Sequence, residues 1–453
     1  MMVNSQVLAR RHRLVKQFDG VVLLFAGDRL SRNFRANQYH FRASSHFLYF
    51  AGLPLAGAVL FLEGDRHVLF MDFPTAEDAL WHGEFTQKEE LQISLQVDQI
   101  LAKSELKKYV MGAATIPLVD PYQRLCQSQI VGRELSEPNH LAGRDQQLAE
   151  AVISCRLTHD AEAIAQIQSA IDISIQAHQQ GIKTAVRANN EAVVRGAIEG
   201  YILGSQMSCA YNSIVTTHGD VLHNEHSFQA FQEGDLLLVD AGAETPYGWA
   251  ADLTRTYPIN GRFSATQRDI YEVVLAAHDQ AIAALKPDVE YRDIHWLAAK
   301  ILTEGLVNLG ILRGQVEDLL AQDVHALFFP HGIGHLLGLD VHDMEDLGDL
   351  AGYSPGRTRG DRVGECFLRL NRPLKTNMIV TIEPGFYQIP ALLKNAQKQE
   401  KYKKIVHWEK LTQFADVRGI RIEDDILITP NGSKNLSENL ATRTATIENL
   451  MNF

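Results

Sequence analysis

Carboxylates lie at the ends of apolar, strand-like runs in the second half of this 453-residue chain. The four runs are Leu236–Val239 before Asp240, Ala250–Ala251 before Asp252, Ile379–Ile382 before Glu383, and Gly419–Ile422 before Glu423. A carboxylate at the end of a buried strand is costly unless it is paired, hydrogen-bonded or bound to a metal. One such residue is more often a helix cap or an ion-paired turn. Four of them in one region favour a metal centre.

A segment rich in glycine and histidine, residues 328–343, adds His331, His335 and His342. Four carboxylates and one imidazole form a hard, oxygen-rich donor set with enough negative charge for two divalent cations. Such a set suits Mn²⁺ or Co²⁺ better than an ion that prefers thiolates. Two neighbouring cations can activate a water molecule and polarise a carbonyl group. The residue chemistry therefore predicts a dinuclear metallohydrolase.

Other catalytic motifs are weaker. Residues 352–356 match the GxSxG pattern of serine hydrolases, but Pro355 follows the serine and has no N–H for an oxyanion hole. The preceding Asp346–Ala351 is not a hydrophobic strand, so we reject this assignment. The sequence contains neither a GxxxxGK[ST] phosphate loop nor an HExxH zinc motif. Its four cysteines lie far apart, which argues against both a disulfide framework and a cysteine zinc site.

The overall charge limits the partners. Lys and Arg number 43 against 55 Asp and Glu, which gives a net charge of −12 and a pI near 5.8. Such a surface repels polyphosphate, so a nucleic acid is not expected as the main partner. The longest apolar stretch, Gly52–Leu62, is too short to span a bilayer, and the N-terminus does not have the pattern of a secretory signal. We expect a soluble, cytoplasmic protein with no membrane partner.

The length predicts at least two domains. The first third is typical of an α/β domain, with short strands at residues 20–25, 58–62 and 67–71. Near residue 155 the pattern changes to a long helix, because isoleucines from Ile164 to Ile175 recur every three or four residues. We therefore predict an N-terminal domain over residues 1–155 and a catalytic domain over residues 156–453.

The second domain alternates between groups of helices and groups of strands. Helices are predicted at residues 191–203, 266–285 and 291–309, and strands at 211–217, 236–243, 250–257, 380–383 and 419–428. Strand pairs grouped apart from helices indicate an α+β domain with an antiparallel sheet. The segment Gln388–Asp416 is rich in Lys and Gln and has the pattern of an insertion or a lid. We favour the simpler interpretation, a solvated loop and helix.

These motifs, in this order, resemble the pita-bread metallopeptidases, particularly the Xaa-Pro aminopeptidases (aminopeptidase P) and the prolidases. In the N-terminal domain the resemblance rests on Tyr39-x-Phe41-Arg42, Ser45, Phe47, Tyr49 and Gly52. In the catalytic domain it rests on Val239–Gly242, Asp252–Arg255, His331-Gly332-x-Gly334-His335, Gly338–Asp343, Glu383–Gly385 and Arg421–Asp424. The resemblance implies a pita-bread catalytic domain of the α+β class, preceded by a smaller α/β N-terminal domain of the aminopeptidase P/creatinase type.

The same resemblance assigns roles to individual residues. It implies that two divalent cations, Mn²⁺, are bound by Asp240, Asp252, His335, Glu383 and Glu423. It implies catalytic roles for Glu383, which would pass a proton to the leaving proline nitrogen, and for His342 and His223, which would stabilise the tetrahedral intermediate. It implies that the substrate is bound by His331, Arg369, Tyr387 and Arg421. It also implies that Tyr387 and Arg421 hold the metal ligands in position.

We therefore expect a metallo-exopeptidase that releases the N-terminal residue from peptides with proline in second position. The alternative is a prolidase with the same site, because the segment Gln388–Asp416 and Gly310–Leu312 resemble the prolidase versions, whereas Arg42–Gly52 favours aminopeptidase P. A non-catalytic binding protein on the same fold is a remote alternative. The expected partners are proline-containing peptides and further copies of the chain, in a homodimer or a homotetramer.

Overall fold

A computed structural model describes residues 5–224 and 226–451 and divides the chain into two units. The first unit contains the residues up to Glu162 together with Met344–Ala351, and the second contains Ala163–Asp343 and the residues from Gly352 onward. The boundary predicted at residue 155 lies inside a helix, Gly143–Arg156, of the first unit. The sequence did not indicate that Met344–Ala351 belongs to the first unit.

The first unit is built on a five-stranded mixed sheet of strand order β6-β5-β4-β1-β7. The strands of this unit are β1 (Val22–Phe25), β2 (Ser31–Phe34), β3 (Asn37–Gln38), β4 (Val59–Glu63), β5 (Arg66–Phe70), β6 (Gln99–Leu101) and β7 (Ala114–Thr115). Leu23, Phe25 and Phe61 alternate along β1 and β4 and meet in one buried cluster, as the two-residue period of a strand requires. The three strands predicted here are confirmed.

Within the described residues, six α-helices of the first unit precede residue 157. They are α1 (Ser5–Gln17), α2 (Ser45–Ala51), α3 (Ala76–His82), α4 (Lys88–Leu95), α5 (Pro121–Val131) and α6 (Gly143–Arg156). Helix α5 begins at Pro121, and the side chain of Asp120 caps it by accepting a hydrogen bond from Gln123 N. Helix α1 packs against α2 and α6.

Long helices surround the strands of the second unit. The further helices along the chain are α7 (Ala161–Ala185), α8 (Glu191–Gly204), α9 (Ala265–Ala284), α10 (Tyr291–Asn308), α11 (Val316–Ala321), α12 (Asp349–Gly352), α13 (Pro390–Leu393), α14 (Ala396–Tyr402), α15 (Trp408–Thr412) and α16 (Thr444–Met451). Of these, α12 lies in the first unit except for its last residue. Ile167, Ile171 and Ile175 form the buried face of α7, as the isoleucine spacing predicted. Helix α9 starts at a reciprocal capping box between Ser264 and Gln267.

The strands of the second unit pair antiparallel throughout. They are β8 (Ser208–Cys209), β9 (Ile214–Thr216), β10 (Leu236–Asp240), β11 (Ala243–Glu244), β12 (Thr254–Pro258), β13 (Ile379–Ile382), β14 (Gly385–Tyr387), β15 (Gly419–Arg421), β16 (Asp424–Thr429) and β17 (Gly432–Asn435). The α+β class with antiparallel sheets is therefore confirmed. None of the helices in the described ranges is long and apolar enough to cross a membrane.

Strand register brings the four carboxylate-bearing segments to one place. Asp240 at the end of β10 lies opposite Thr254 of β12, and Thr254 forms an isolated bridge with Glu423. Glu383 lies between β13 and β14, and Glu423 lies between β15 and β16. Both residues therefore lie where the β13–β16 pairing gives way to the β14–β15 pairing. Two details differ from the sequence prediction, because Asp252 precedes β12 instead of lying within a strand, and the strand predicted at 419–428 is broken at Glu423.

The segment Gln388–Asp416 is a packed part of the second unit. Its helices α13, α14 and α15 bury Tyr402, Leu411 and Phe414. Its backbone also pairs with residues 311–313, since Arg313 N donates to Ile405 O at 2.9 Å. Most residues of the segment are exposed and it contains three helices, so the interpretation as a solvated loop and helix agrees with the structure, although a few apolar side chains anchor the segment.

Candidate metal centre

All five ligands expected from the sequence converge in the second unit. Three overlapping groups each place one ligand atom per residue within 4.8 Å of the others. The groups are Asp240–Asp252–Glu423, His335–Glu383–Glu423 and Asp252–His335–His342. Asp240, Asp252, His335 and Glu423 are buried, so the carboxylates have little water to solvate them. Among the described residues, this cluster therefore has the composition of a metal centre.

A short extended segment next to β13 positions His335. The backbone of residues 333–337 runs antiparallel to β13, with Thr381 N donating to His335 O at 3.0 Å and Glu383 N to Ile333 O at 2.8 Å. Gly334 has φ = +153°, and a Cβ atom there would lie 2.3 Å from Thr381 O. Only glycine fits this contact without distortion. The second glycine of the His-Gly-x-Gly-His motif therefore allows His335 and Glu383 to face the same cluster.

The protonation of His335 provides a test of whether a cation fits. Its Nδ1 lies 2.9 Å from Leu336 O, and because a carbonyl only accepts, Nδ1 carries the proton. Burial lowers the pKa of His335 to about 3, so the ring is neutral and Nε2 has a lone pair. Nε2 lies 3.3 Å from Asp252 Oδ2 and 3.8 Å from Glu383 Oε1. A lone pair that faces two carboxylate oxygens is favourable when a cation lies among them.

The carboxylates also have the proton affinities of a cation site. Burial, with repulsion from Asp240, raises the pKa of Asp252 to about 7. Burial raises the pKa of Glu383 to about 8, and burial together with the charge of Asp252 raises that of Glu423 well above its ordinary value. In the absence of cations these groups hold protons at neutral pH. Divalent cations would replace those protons.

This proton binding predicts how stability depends on pH. The folded-state pKa values of Asp252, Glu383 and Glu423 are raised, so these three groups bind more protons in the metal-free fold than in the unfolded chain between about pH 4 and pH 8. Their contribution to the free energy of unfolding should therefore fall as pH rises through this window, whereas buried neutral histidines with lowered pKa values contribute in the opposite direction below about pH 6.5. The effect of Mn²⁺ on Tm should therefore depend on pH.

Thermal unfolding of the chelated and Mn²⁺-loaded protein at about pH 6 and about pH 8 checks this expectation. The increase in Tm on adding Mn²⁺ should be larger at pH 8, where fewer protons compete for the carboxylates. The variant Asp145→Asn, which alters a buried carboxylate of the first unit bonded to Thr115 and Arg133, should retain the same Mn²⁺ response. An Mn²⁺ effect that is independent of pH would show that the cations do not bind at the titrating carboxylates.

Three further side chains hold the carboxylates in place. Tyr211 Oη lies 2.6 Å from Oδ1 of Asp240 and 2.6 Å from Oδ1 of Asp252. Thr254 Oγ1 donates to Glu423 Oε2 at 2.7 Å, and Arg421 donates to Asp240. The sequence did not reveal this role of Tyr211. The strand predicted at 211–217 begins only at Ile214, so Tyr211 lies in a loop, where a lone tyrosine carries no distinctive signal.

A second hydrogen-bonded chain fixes His331 beside Glu383. His331 Nδ1 donates to Gly332 O at 2.7 Å, so its Nε2 accepts from Tyr387 Oη at 2.8 Å. Tyr387 Oη in turn accepts from Arg421 at 3.2 Å. Burial lowers the pKa of His331 to about 3, which keeps this ring neutral. Tyr387 and Arg421 thus connect the metal cluster to an imidazole whose Nδ1 lies 3.7 Å from Glu383 Oε2.

The cluster opens into a cavity of about 260 Å³. The residues that line the cavity are Leu222, His223, Asp240, Asp252, Pro330, His331, Gly332, Gly334, His335, His342, Phe367, Arg369, Glu383, Arg421 and Glu423. Every site residue expected from the sequence is in this lining except Tyr387, which contacts His331 and Arg421. Apolar side chains from Leu222, Pro330 and Phe367 lie among the polar ones, as is typical of ligand sites.

An antiparallel α+β unit with a buried cluster of carboxylates and imidazoles at a cavity defines the class of a metallohydrolase. The chain belongs to metallopeptidase family M24, whose family profile matches residues 165–430. The profile of the aminopeptidase P N-terminal domain matches residues 7–115. These matches confirm the predicted family and the order of an N-terminal domain before a catalytic domain.

Individual relatives agree with the family assignment. The Xaa-Pro aminopeptidase of Escherichia coli is 31% identical over 463 residues, covering 98% of this chain and 96% of its own. A probable Xaa-Pro aminopeptidase of Phaeosphaeria nodorum is 32% identical over 88% of this chain and 84% of its own.

Solved structures show the same relationship. The structure of E. coli aminopeptidase P with the inhibitor Pro-Leu superposes with a TM-score of 0.81 at 29% identity, covering 100% of this chain and 99% of that one. Proline aminopeptidase P II from Yersinia pestis gives a TM-score of 0.79 at 28% identity, covering 99% of both chains. The predicted pita-bread fold and the prediction of a metallo-exopeptidase are therefore confirmed.

Proposed function

We propose that this enzyme is an Xaa-Pro aminopeptidase that uses two Mn²⁺ ions to release the N-terminal residue from peptides with proline second. The observation that carries the proposal is the complete donor cluster, four carboxylates and His335, in a chain that aligns over 98% of its length with the E. coli Xaa-Pro aminopeptidase. The neighbouring apolar lining of Leu222, Pro330 and Phe367 suits a proline ring and an apolar side chain.

The donor groups suggest how the cations are shared. Asp240, Asp252 and Glu423 would hold one cation, and His335, Glu383 and Glu423 the other. Asp252, His335 and Glu423 each belong to two of the three groups. Of these, the carboxylates Asp252 and Glu423 are the residues we propose to be shared, because a carboxylate has two oxygens to offer. When bound, the cations would polarise the scissile carbonyl and lower the pKa of a water molecule.

Glu383 is proposed to move the proton that the reaction requires. The bond before proline is a tertiary amide, and its departing nitrogen is strongly basic, so it must be protonated to leave. Glu383 lines the cavity beside His331 and belongs to the proposed donor set. With cations bound its carboxylate would be ionised, so it could accept a proton from the attacking water and deliver it to the proline nitrogen.

Two neutral imidazoles are proposed to stabilise the tetrahedral intermediate. His342 and His223 both line the cavity. Burial lowers the pKa of His342. Partial desolvation, together with the charges of Arg421 and Arg369, lowers the pKa of the more exposed His223. A neutral imidazole can donate an N–H hydrogen bond to the oxygen on which negative charge develops. His331, held by Tyr387, is proposed to contact the proline residue.

Product analysis tests this function. Mn²⁺-loaded enzyme should convert Ala-Pro-Ala to alanine and Pro-Ala, whereas Ala-Ala-Ala should be cleaved at least about tenfold more slowly. Mass spectrometry of the products separates N-terminal release from any other cleavage. Equal rates on both peptides, or release of the C-terminal residue, would contradict the proposal.

Arg369 supports a second candidate, a prolidase. A dipeptidase must bind the free carboxylate directly after proline, and the guanidinium of an arginine is well suited to this. Arg369 lies in the cavity lining, so the geometry provides such a group. We still expect an aminopeptidase, because the curated relatives carry that name over nearly the full chain.

Substrate length separates the two candidates. Ala-Pro-Ala should be cleaved at least as fast as Ala-Pro, and Arg369→Ala should lower kcat/KM for Ala-Pro by roughly tenfold more than for Ala-Pro-Ala. The matched control is Arg359→Ala, which removes an arginine that stacks on Tyr353 outside the cavity lining. It should change kcat/KM for neither peptide. Cleavage of the dipeptide alone would identify a prolidase.

The cellular setting is also a proposal. Cys126, Cys155, Cys209 and Cys366 are free, which supports the predicted cytoplasmic location because disulfides are rare in reducing compartments. A homodimer or homotetramer is proposed from the family resemblance alone. Light scattering on the eluting protein would give the number of chains.

A further inference from the structure

The loop that carries His223 leaves strand β9 at Thr217 and returns toward β10 at Gln229; residue 225 within it lies outside the described residues. We call it the His223 loop. Leu222 and His223 are its two contributions to the cavity lining. His223 is itself exposed, so the packing of its own side chain does little to fix its position. The contacts at the two ends of the loop therefore decide where His223 lies.

One buried carboxylate, that of Glu191, joins both ends of the His223 loop. Its side chain has no exposed surface. Oε1 accepts from Thr217 N at 2.7 Å and from Thr217 Oγ1 at 3.0 Å, and Oε2 accepts from Gln229 N at 3.1 Å. Glu191 N donates to Gln229 O at 3.1 Å as well. Each oxygen thus holds one end of the loop.

A hydroxyl group extends this contact to the residue beside His223. Thr216 Oγ1 donates to Glu191 Oε1 at 3.3 Å and accepts from Asn224 Nδ2 at 2.9 Å and from His218 N at 2.9 Å. Thr216 is fully buried at the end of β9. A continuous polar chain therefore runs from Glu191 through Thr216 to Asn224.

The first part of the loop also rests directly on β15. Gly219 and Gly419 approach so closely that a Cβ atom on Gly419 would lie 2.2 Å from Gly219 O. Strand β15 contains Arg421, which is bonded to Asp240. The loop is thus supported by the catalytic strands on one side and by Glu191 at both ends.

We propose that Glu191 is a positioning residue that sets the place of His223 at the substrate, an inference that rests on the proposed function of His223. Among the described residues, no Lys, Arg or His bonds this carboxylate; its partners are amide and hydroxyl donors from the loop and from β9. Fixing both ends of a loop removes conformational freedom that the loop would otherwise have. In Glu191→Gln, an amide NH₂ replaces one of the two carboxylate oxygens. Whichever way the amide is oriented, this NH₂ faces a donor of the loop, and that donor loses its acceptor.

A double-mutant cycle tests the proposal. On Ala-Pro-Ala, Glu191→Gln should lower kcat/KM about tenfold, and His223→Ala should lower it by at least as much. The double variant should be no worse than His223→Ala, because the role of Glu191 disappears when His223 is absent. Asp145→Asn, the buried carboxylate bonded to Thr115 and Arg133, serves as the control and should leave kcat/KM unchanged.

Two outcomes of the cycle would overturn the inference. The first is a kcat/KM for Glu191→Gln equal to that of the wild type while His223→Ala is impaired. The second is a double variant whose loss is the product of the two single losses, which would mean that Glu191 acts independently of His223. A wild-type enzyme that cleaves no Xaa-Pro peptide would instead overturn the proposed function.

A measurement that does not depend on activity completes the test. Hydrogen–deuterium exchange at one of the two amides of Thr217 and Gln229 should be at least about tenfold faster in Glu191→Gln than in the wild type, since glutamine keeps only one acceptor oxygen and one of these amides loses its acceptor. If Glu191→Gln does not fold, Asn224→Ala removes the far end of the same polar chain near the surface and should lower kcat/KM in the same cycle. Unchanged exchange in Glu191→Gln, or an Asn224→Ala loss that multiplies with that of His223→Ala, would contradict the proposal.

Discussion

Replacement of Glu383 by glutamine is expected to lower kcat for Ala-Pro-Ala by roughly 10³-fold while the fold remains intact. Two functions converge on this side chain, because Glu383 belongs to the donor group with His335 and Glu423 and is also the proposed proton carrier. An amide has nearly the same shape, but it binds a divalent cation weakly and cannot carry the proton. The loss should appear in kcat more than in KM.

Circular dichroism and turnover should be measured on the same preparation. A matched control is Glu290→Gln, which removes a carboxylate paired with Arg357 away from the cavity lining and should leave kcat unchanged. Glu383→Asp separates the two roles, since it keeps an ionisable carboxylate at a shorter reach and should retain more activity than the amide. Turnover by Glu383→Gln within about threefold of the wild type would refute the assignment.

Removal of divalent cations is expected to abolish activity. Asp240 and Asp252 share one donor group with Glu423, and Glu383 shares another with Glu423, so these four carboxylates repel when ionised without a cation. Activity should fall below about 1% of the starting rate after dialysis against a chelator. Mn²⁺ should restore it better than Ca²⁺, because Ca²⁺ prefers six to eight oxygen ligands and this set contains the imidazole of His335.

The control for this experiment is dialysis without a chelator, followed by the same spectroscopic check of folding. Chelated protein that is still folded and regains activity with Mn²⁺ would show that the loss was chemical and not structural. Full activity in protein whose metal content, measured by mass spectrometry, is negligible would contradict the mechanism.

The candidate carboxylate ligands could be found from the sequence because each is a costly residue in a recognisable place. A carboxylate that follows Leu236–Val239 or Ile379–Ile382 is not explained as an ordinary surface residue, and the strands β10 and β13 form where these runs predicted them. The glycines of residues 328–343 marked the segment that contains His335, and Gly334 does make a close backbone approach, but only the family resemblance separated His335 from His331 and His342. Apolar runs and glycines are local signals, and a single sequence shows them.

The residues that support the ligands could not be predicted in the same way. Tyr211, Thr254 and Glu191 acquire their contacts from strand register and loop closure, which bring together residues far apart in the chain. A threonine at the start of β12 or a glutamate at the start of α8 is common in any protein. The same limitation applies to Met344–Ala351, whose membership of the first unit depends on tertiary contacts.

The number of cations that activity requires is the most direct test of the central claim, a two-cation centre formed by Asp240, Asp252, His335, Glu383 and Glu423. Chelated, folded enzyme should be titrated with Mn²⁺ while bound metal and Ala-Pro-Ala hydrolysis are measured on the same samples. We predict that hydrolysis reaches its maximum at two Mn²⁺ per chain and that Glu423→Gln, which changes a donor common to both proposed sites, binds fewer than two. Full activity with no bound cation, or an unchanged stoichiometry of two in Glu423→Gln, would contradict the account.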